Sequence, residues 1–280
     1  MGALLLAIAV HGWLDGYYAS NDRHASPDVA ALDISRDAKP FGFHVTLVSG
    51  EAADAVHAGE AHHALRYVYQ ASASYAVRGT TFEAGVYPSH IGFEGFFTKD
   101  NWNYTRGVLG ELSPYYQGGV KVSRPIGKHW SASADVMRGW QNVTSHAPRA
   151  IGTQVAYDDG RTSTTFNTYA DAHRKFGDFI ATYKVTPKLT LATSIDRGRE
   201  RPANWLGVGL WSRYAIDDRH AVAFRAERFR DPNGGISGFA QTISEETLTY
   251  EMRPSPHVIL KFEGRRDRAS LAIASAVLTY

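Results

Sequence analysis

Three groups of residues in this 280-residue chain have types and spacings that could carry chemistry. His57, His62 and His63 gather in HAGEAHH, where imidazoles could converge on a cation. No carboxylate or thiol set at a recognisable metal spacing accompanies them, so solvated loop histidines are expected, with no metal and no cofactor. Serine, histidine and aspartate are plentiful enough for a hydrolytic triad, which keeps a barrel-borne lipid hydrolase as the alternative, but the chain holds no G-x-S-x-G. Arg197, Arg199 and Arg201, with Arg265, Arg266 and Arg268, could meet phosphate. They fall at the ends of predicted strands, where lipid headgroups are the expected partner and nucleic acid is not.

A larger set of charges belongs to no motif but keeps a strict parity. In HAVAFRAERF, Val222, Phe224 and Ala226 alternate with Arg225 and Glu227; in VILKFEGRRD, Val258, Leu260 and Phe262 alternate with Lys261, Glu263 and Arg265. Alternation at period two is the mark of a strand with one apolar and one polar face. The stretch YKVTPKLTLATSI, from Tyr183 to Ile195, adds the tight turn and the returning strand, and so reads as a hairpin. Similar units recur along the chain, and about sixteen strands can be placed, an even number as a closed bacterial barrel requires. Short polar turns alternate with longer polar, aromatic-dotted connections, the asymmetry of turns and external loops in such barrels.

The composition agrees with one all-β unit: 26 Gly, 15 Tyr, 13 Phe and 6 Trp, and no apolar run long enough for a spanning helix. Cysteine is absent, which removes disulfides and cysteine-based zinc sites, and a net charge of +2 is too mild to point to nucleic acid. A soluble sandwich would show the same alternation but needs about half as many strands. Strand number, an apolar face on nearly every strand and Tyr and Trp near strand ends favour a transmembrane antiparallel up-and-down β-barrel over residues 10–280. Residues 1–9, MGALLLAIA, end in the small-residue pattern of a cleavage site without a basic start, and read as the residual end of a signal peptide or a disordered start.

With strand parity fixed, the lumen-facing charges are Arg66, Lys121, Asp135, Lys184, Arg213, Arg225, Glu227, Lys261, Glu263 and Arg265. Basic residues outnumber acidic ones, so a mild anion preference is expected, against the bland reading that the charges pair and only keep the interior wet. Arg138 falls on the lipid parity and has to sit near an interface. Residues 51–61, of helical composition, read as an external loop. Residues 88–114 are the longest interval without alternation and are expected to fold into the lumen, with Glu94, Lys99, Asp100, Trp102, Tyr104, Arg106 and Glu111 forming a constriction.

Several blocks are familiar: HGWLDGYY, KPFGFHVTL, TKDNWNYTRG, PYYQGGVKVS, RGWQNVT, GTQVAYD, TYKVTPKLTLA, RAERFRDPNG and TLTYEMRPSPHVILKFEGRRDR. Through them the chain resembles the outer-membrane β-barrel porins of the porin-2, OmpL-like family, KDNWNYTRG being the most specific block. The resemblance implies an integral protein of the bacterial outer membrane, a passive channel for small hydrophilic solutes and ions and not an enzyme. Its partners would be outer-membrane lipid and the solutes, as a monomer or a homotrimer. A non-conducting structural or adhesion barrel stays open beside it. The final residue, Tyr280, stands where outer-membrane proteins usually carry Phe.

Overall fold

Period-two alternation runs through nearly the whole chain, and the computed structural model shows what it builds. It describes residues 8–21, 23–60, 62–143, 147–267 and 269–280. Among these lie sixteen strands: β1 Ala9–Ala19, β2 His24–Arg36, β3 Phe41–Ser49, β4 Val68–Val77, β5 Thr80–Pro88, β6 Tyr116–Ile126, β7 Trp130–Arg138 and β8 Arg149–Asp158. The second half adds β9 Thr162–Ala170, β10 Arg174–Lys184, β11 Leu189–Glu200, β12 Ala203–Ala215, β13 His220–Asp231, β14 Gln241–Ser255, β15 Val258–Arg266 and β16 Ser270–Thr279. Each strand pairs antiparallel with its neighbours in sequence, and β1 pairs with β16 to close the barrel. Closure leaves no unpaired strand edge.

The predicted hairpin is β10–β11, in register Phe179↔Ile195 and Asp178↔Asp196. Phe179 and Ile195 face outward and are exposed, while Asp178 and Asp196 face inward and are buried. A slip of one residue would exchange these faces, so burial of the carboxylates fixes the register. At the turn, the Thr186 hydroxyl accepts from the Leu189 amide at 2.9 Å, and the next turns on this end are closed in the same way by Asp159 and Asp217.

The distribution of polarity is inverted relative to a protein dissolved in water. Phe41, Phe82, Val120, Ile151, Phe166, Leu210, Leu248 and Phe262 lie exposed on the outer wall, whereas Asp15, Asp135, Arg225, Glu245, Lys261 and Glu263 are buried inside. Only a hydrocarbon surrounding satisfies that outer surface. No helix among the described residues is long and apolar enough to cross a membrane; the strands do so. Arg138 is the last residue of β7, opposite Arg149 at the start of β8, so this outward guanidinium sits at the rim.

Several boundaries differ from the sequence reading. β2 begins at His24, so the polar stretch His24–Asp28, which the sequence offers as a link, belongs to a strand. Residues expected to open β4 form a short 3-10 helix, His63–Tyr67, which removes Arg66 from the strand wall; its Nε donates to the Glu60 carbonyl at 3.3 Å. A register shift between β3 and β4 then turns Tyr69 inward, away from Tyr67. The first strand includes Ala9, paired with Ser35. Residues 1–7 of the proposed signal end, and Arg268, lie outside the described residues.

Residues 51–60 do not stand free as an external loop but pack against the barrel. α1, Glu51–Val56, buries Ala52 and Ala53 in a cluster with Val29, Val48, Tyr69, Phe96 and Tyr116. Its entry residue, Gly50, has φ 116°, and a Cβ there would lie 2.4 Å from the Asp28 carbonyl oxygen. Only glycine lets α1 approach β2 so closely.

A candidate pore constriction

The connection from β5 to β6 enters the barrel and crosses it, carrying α2, Val108–Leu112, on its return. A segment this long orders itself only if its polar groups find partners, and the inner wall supplies them. Near its start, the Gly92 amide donates to Asp178 on β10 at 2.8 Å, and His90 lies 3.5 Å from Asp135 on β7. Near its tip, Thr98 donates to Asp15 on β1, while Lys261 on β15 donates to the carbonyls of Thr98 and Asn101 at 2.7 and 2.6 Å. On the return, the amides of Tyr104 and Thr105 donate to Glu263 at 2.6 and 3.1 Å. The lumen placement of this segment is thus made of bonds to both sides of the barrel.

Arg225 on β13 is the densest anchor, with 0% of its side-chain surface accessible. Its guanidinium donates to Glu94 of the crossing segment at 2.8 Å, to the Thr105 carbonyl, and to Glu245 and Thr247 on β14. All five of its N–H groups have acceptors, which is what makes a buried guanidinium tolerable. Glu94 also accepts from Trp211 Nε1 at 3.3 Å. α2 follows from Gly107, whose added Cβ would stand 2.4 Å from the buried Glu227 carboxylate, and the Leu109 amide donates to that same carboxylate at 3.3 Å. A side chain at position 107 would have to displace that carboxylate.

Aromatic rings complete the docking. Phe97 meets Trp13 edge-on at 4.7 Å, Phe96 stacks on Tyr69 at 5.1 Å, and Phe93 lies between Trp102 and Trp211 at 5.5 and 4.6 Å. Tyr104 is buried against Ala19 and Ile273. His57, expected to be a solvated loop histidine, is instead fully buried, stacked on Tyr116 at 4.6 Å with its Nδ1 donating to the Ala53 carbonyl at 2.9 Å. Burial pushes the His57 imidazole below its ordinary range. His62 and His63 are exposed. Among the described residues no three His, Cys, Asp or Glu side chains converge to hold a metal ion.

The predicted lumen charges therefore separate into two classes. Arg225, Lys261, Glu227 and Glu263 are buried beneath the crossing segment and face it rather than open space. Lys121 pairs with Glu83 at 2.7 Å, Arg213 with Glu251 at 2.9 Å, and Arg265 with Glu245 at 2.7 Å, each retaining some exposure. Asp135 accepts from the Tyr87 hydroxyl at 3.4 Å. Lys184 keeps the inward parity of β10 but stands exposed at the turn rim, donating to the Gly160 carbonyl, because that strand ends there. On the crossing segment, Lys99 pairs with Asp100, and Arg106 with Glu111.

The sequence reading missed Glu245, Glu251, Asp15, Asp178 and Trp211 as partners. The parity of ISEETLTYEM carries the first two, since Glu245, Thr247, Thr249 and Glu251 share the buried face. Open space remains on both sides of the crossing. Toward the short turns, a cavity of about 480 Å³ is lined by Lys99, Asp100, Arg213, Asp217, Glu251 and Arg253; toward the long loops, one of about 360 Å³ is lined by Asp28, Arg106, Glu111 and Arg265.

With this geometry in hand, comparison with known proteins is informative. Residues 7–276 match the family described as "Putative beta-barrel porin-2, OmpL-like". The chain is similar in structure to the trimer form of OmpT, an outer membrane protein of Vibrio cholerae, at 9% identity, a TM-score of 0.68, and 98% and 99% of the two chains covered. It is similar to an anion-selective porin from Comamonas acidovorans at 11% identity and a TM-score of 0.64, covering 98% and 99%, and to a mutant Rh. blastica porin at 12% and 0.68, covering 98% and 100%. At these identities the likeness concerns the fold. No curated protein matches the sequence.

Proposed function

Because the chain belongs to the beta-barrel porin-2, OmpL-like family of the bacterial outer membrane, we propose that it is a passive channel for small hydrophilic solutes and ions and not a catalyst. The carrying observation is the segment between β5 and β6, which bonds to β1, β10, β13 and β15 across the bore and leaves cavities on either side. A solute crossing the barrel passes beside this segment, so the constriction is assigned to it: Glu94 and Tyr104 hold it, and Lys99, Asp100, Trp102, Arg106 and Glu111 meet the solute.

Ion preference rests on the charges that keep contact with water. Arg225 and Lys261 are enclosed and neutralised, and contribute little to a field felt by a permeating ion. Arg213 and Arg253 share the carboxylate of Glu251 with the enclosed Lys261, and unlike it they stay partly exposed, 30% and 44%. They support a mild anion preference, in keeping with the anion-selective relative, while Asp100, Asp217 and Asp218 in the same cavity oppose it. The trimer form of the Vibrio cholerae protein makes a homotrimer the assembly to test first.

Single-channel recording in a planar bilayer tests the assignment. Deleting residues 95–110 is expected to raise conductance severalfold. Equal conductance in deleted and full-length protein would move the constriction to the wall, and no channel in either would favour a closed structural barrel.

A further inference from the structure

The outer wall carries a second charged feature that conduction does not use. On the β10–β11 pair, the outward positions read Lys175↔Arg199, Gly177↔Arg197 and Phe179↔Ile195 from the long-loop rim towards the middle of the wall. Lys175, Arg197 and Arg199 are exposed. Among the described residues none of the three has a carboxylate within ion-pair distance; Glu200, next in sequence, faces the lumen and is held by Arg174 at 2.8 Å. Three cations thus share one small patch with their mutual repulsion uncompensated, in contrast to Arg213, Arg225 and Arg265 on the inner face, which are all paired.

The patch is also hollow. The missing side chain of Gly177 opens a groove of about 670 Å³, lined by the three cations above and by Phe166, Phe179 and Ile195 below. Charge at the rim and an apolar floor towards the hydrocarbon form the complement of an amphiphile with an anionic head. Two strands further round the wall, Arg228 and Arg230 also face outward and are exposed, and extend the basic surface. The outward acid nearest that extension is Glu246 on β14, opposite Ala226.

We propose that this groove binds the phosphorylated headgroup of an anionic lipid in the outer leaflet. Lys175, Arg197 and Arg199 hold the phosphate, and an acyl chain lies on Phe166, Phe179 and Ile195. The leaflet follows from the end of the barrel at which the cations stand, which is the end bearing the long loops. A lipid is favoured over a free anion because the groove continues onto an apolar floor that inorganic phosphate would leave unused.

The test is native mass spectrometry of the full chain in detergent, with diphosphorylated lipid A and with the same lipid enzymatically dephosphorylated. The protein should retain the phosphorylated form at least about tenfold better than does the variant Lys175→Gln/Arg197→Gln/Arg199→Gln, and should lose that margin with the dephosphorylated form. Equal retention by the variant would overturn the proposal. So would equal retention of both lipids, which would mean binding to the apolar wall alone. Displacement of the lipid by millimolar inorganic phosphate would make the groove a free-anion site and would also refute it. If the variant does not fold, the two-lipid comparison and the phosphate competition on the unaltered protein still decide.

Discussion

Replacing Arg225 by Met keeps most of the side chain's volume and removes its charge. The docked segment then has Glu94 facing Glu245 and Glu227 in a buried space with no cation between them. Removing one partner of a buried ion pair costs about 3–5 kcal/mol, because the remaining charge stays desolvated. Relief is available on one side only. Glu245 belongs to the wall and keeps Arg265 at 2.7 Å, whereas Glu94 can leave with its segment and regain water. Most of the cost therefore falls on docking, and at 1.4 kcal/mol per factor of ten the docked-to-undocked ratio should drop by about two to three and a half powers of ten. In a planar bilayer Arg225→Met should flicker to a conductance near that of the 95–110 deletion. The double variant Arg225→Met/Glu94→Gln, which removes the stranded carboxylate, should return towards the parent, a coupling that a double-mutant cycle measures. A correctly folded Arg225→Met barrel with the parent's conductance and open-channel noise would refute the reasoning.

Two further outcomes follow from the same geometry. Replacing Arg213 and Arg253 together by Gln should move the reversal potential in a salt gradient towards cations, whereas Arg225→Gln should change it far less, since only the first two touch water. His57 has its imidazole held below the ordinary value of 6.5, so the folded form binds fewer protons than the unfolded one; docking of α1 is fully stabilised above that value and weakens as pH falls below it. Hydrogen-exchange protection factors over residues 51–60, which divide out the intrinsic pH dependence of amide exchange, should fall between pH 7.5 and pH 5, and His57→Gln should flatten that dependence.

Much of the barrel was legible because a strand's two faces are written at period two, and the inner charges follow once parity is fixed. Arg225, Glu227, Lys261, Glu263 and Arg265 all point inward as their parity requires. Parity says nothing about height or about what covers a residue. Lys184 has the right face but the wrong height, at the rim. Arg225 was legible as inward but not as enclosed, because its cover comes from Glu94 and Thr105, 131 and 120 residues away. Arg66 and His57 failed for another reason: the stretch between β3 and β4 folds by burial of Ala52, Ala53 and Tyr69 against the crossing segment, which no local period records.

The distances along the chain that made this cover hard to foresee also set an order of events in assembly. The crossing segment leaves the barrel wall after β5, but its anchors Arg225, Lys261 and Glu263 lie 120 to 163 residues away from the groups they hold. Closing loops of that size is entropically slow, and none of these bonds can form before β13 to β15 have joined the sheet. Until those strands are in place the crossing segment has its bonds to β1, β7 and β10 but not these anchors, and the side of the bore that β13 to β15 supply is missing. Full docking of the segment and completion of the wall therefore coincide, and a barrel in which β13 to β15 are loosened should hold its constriction less firmly than the finished protein.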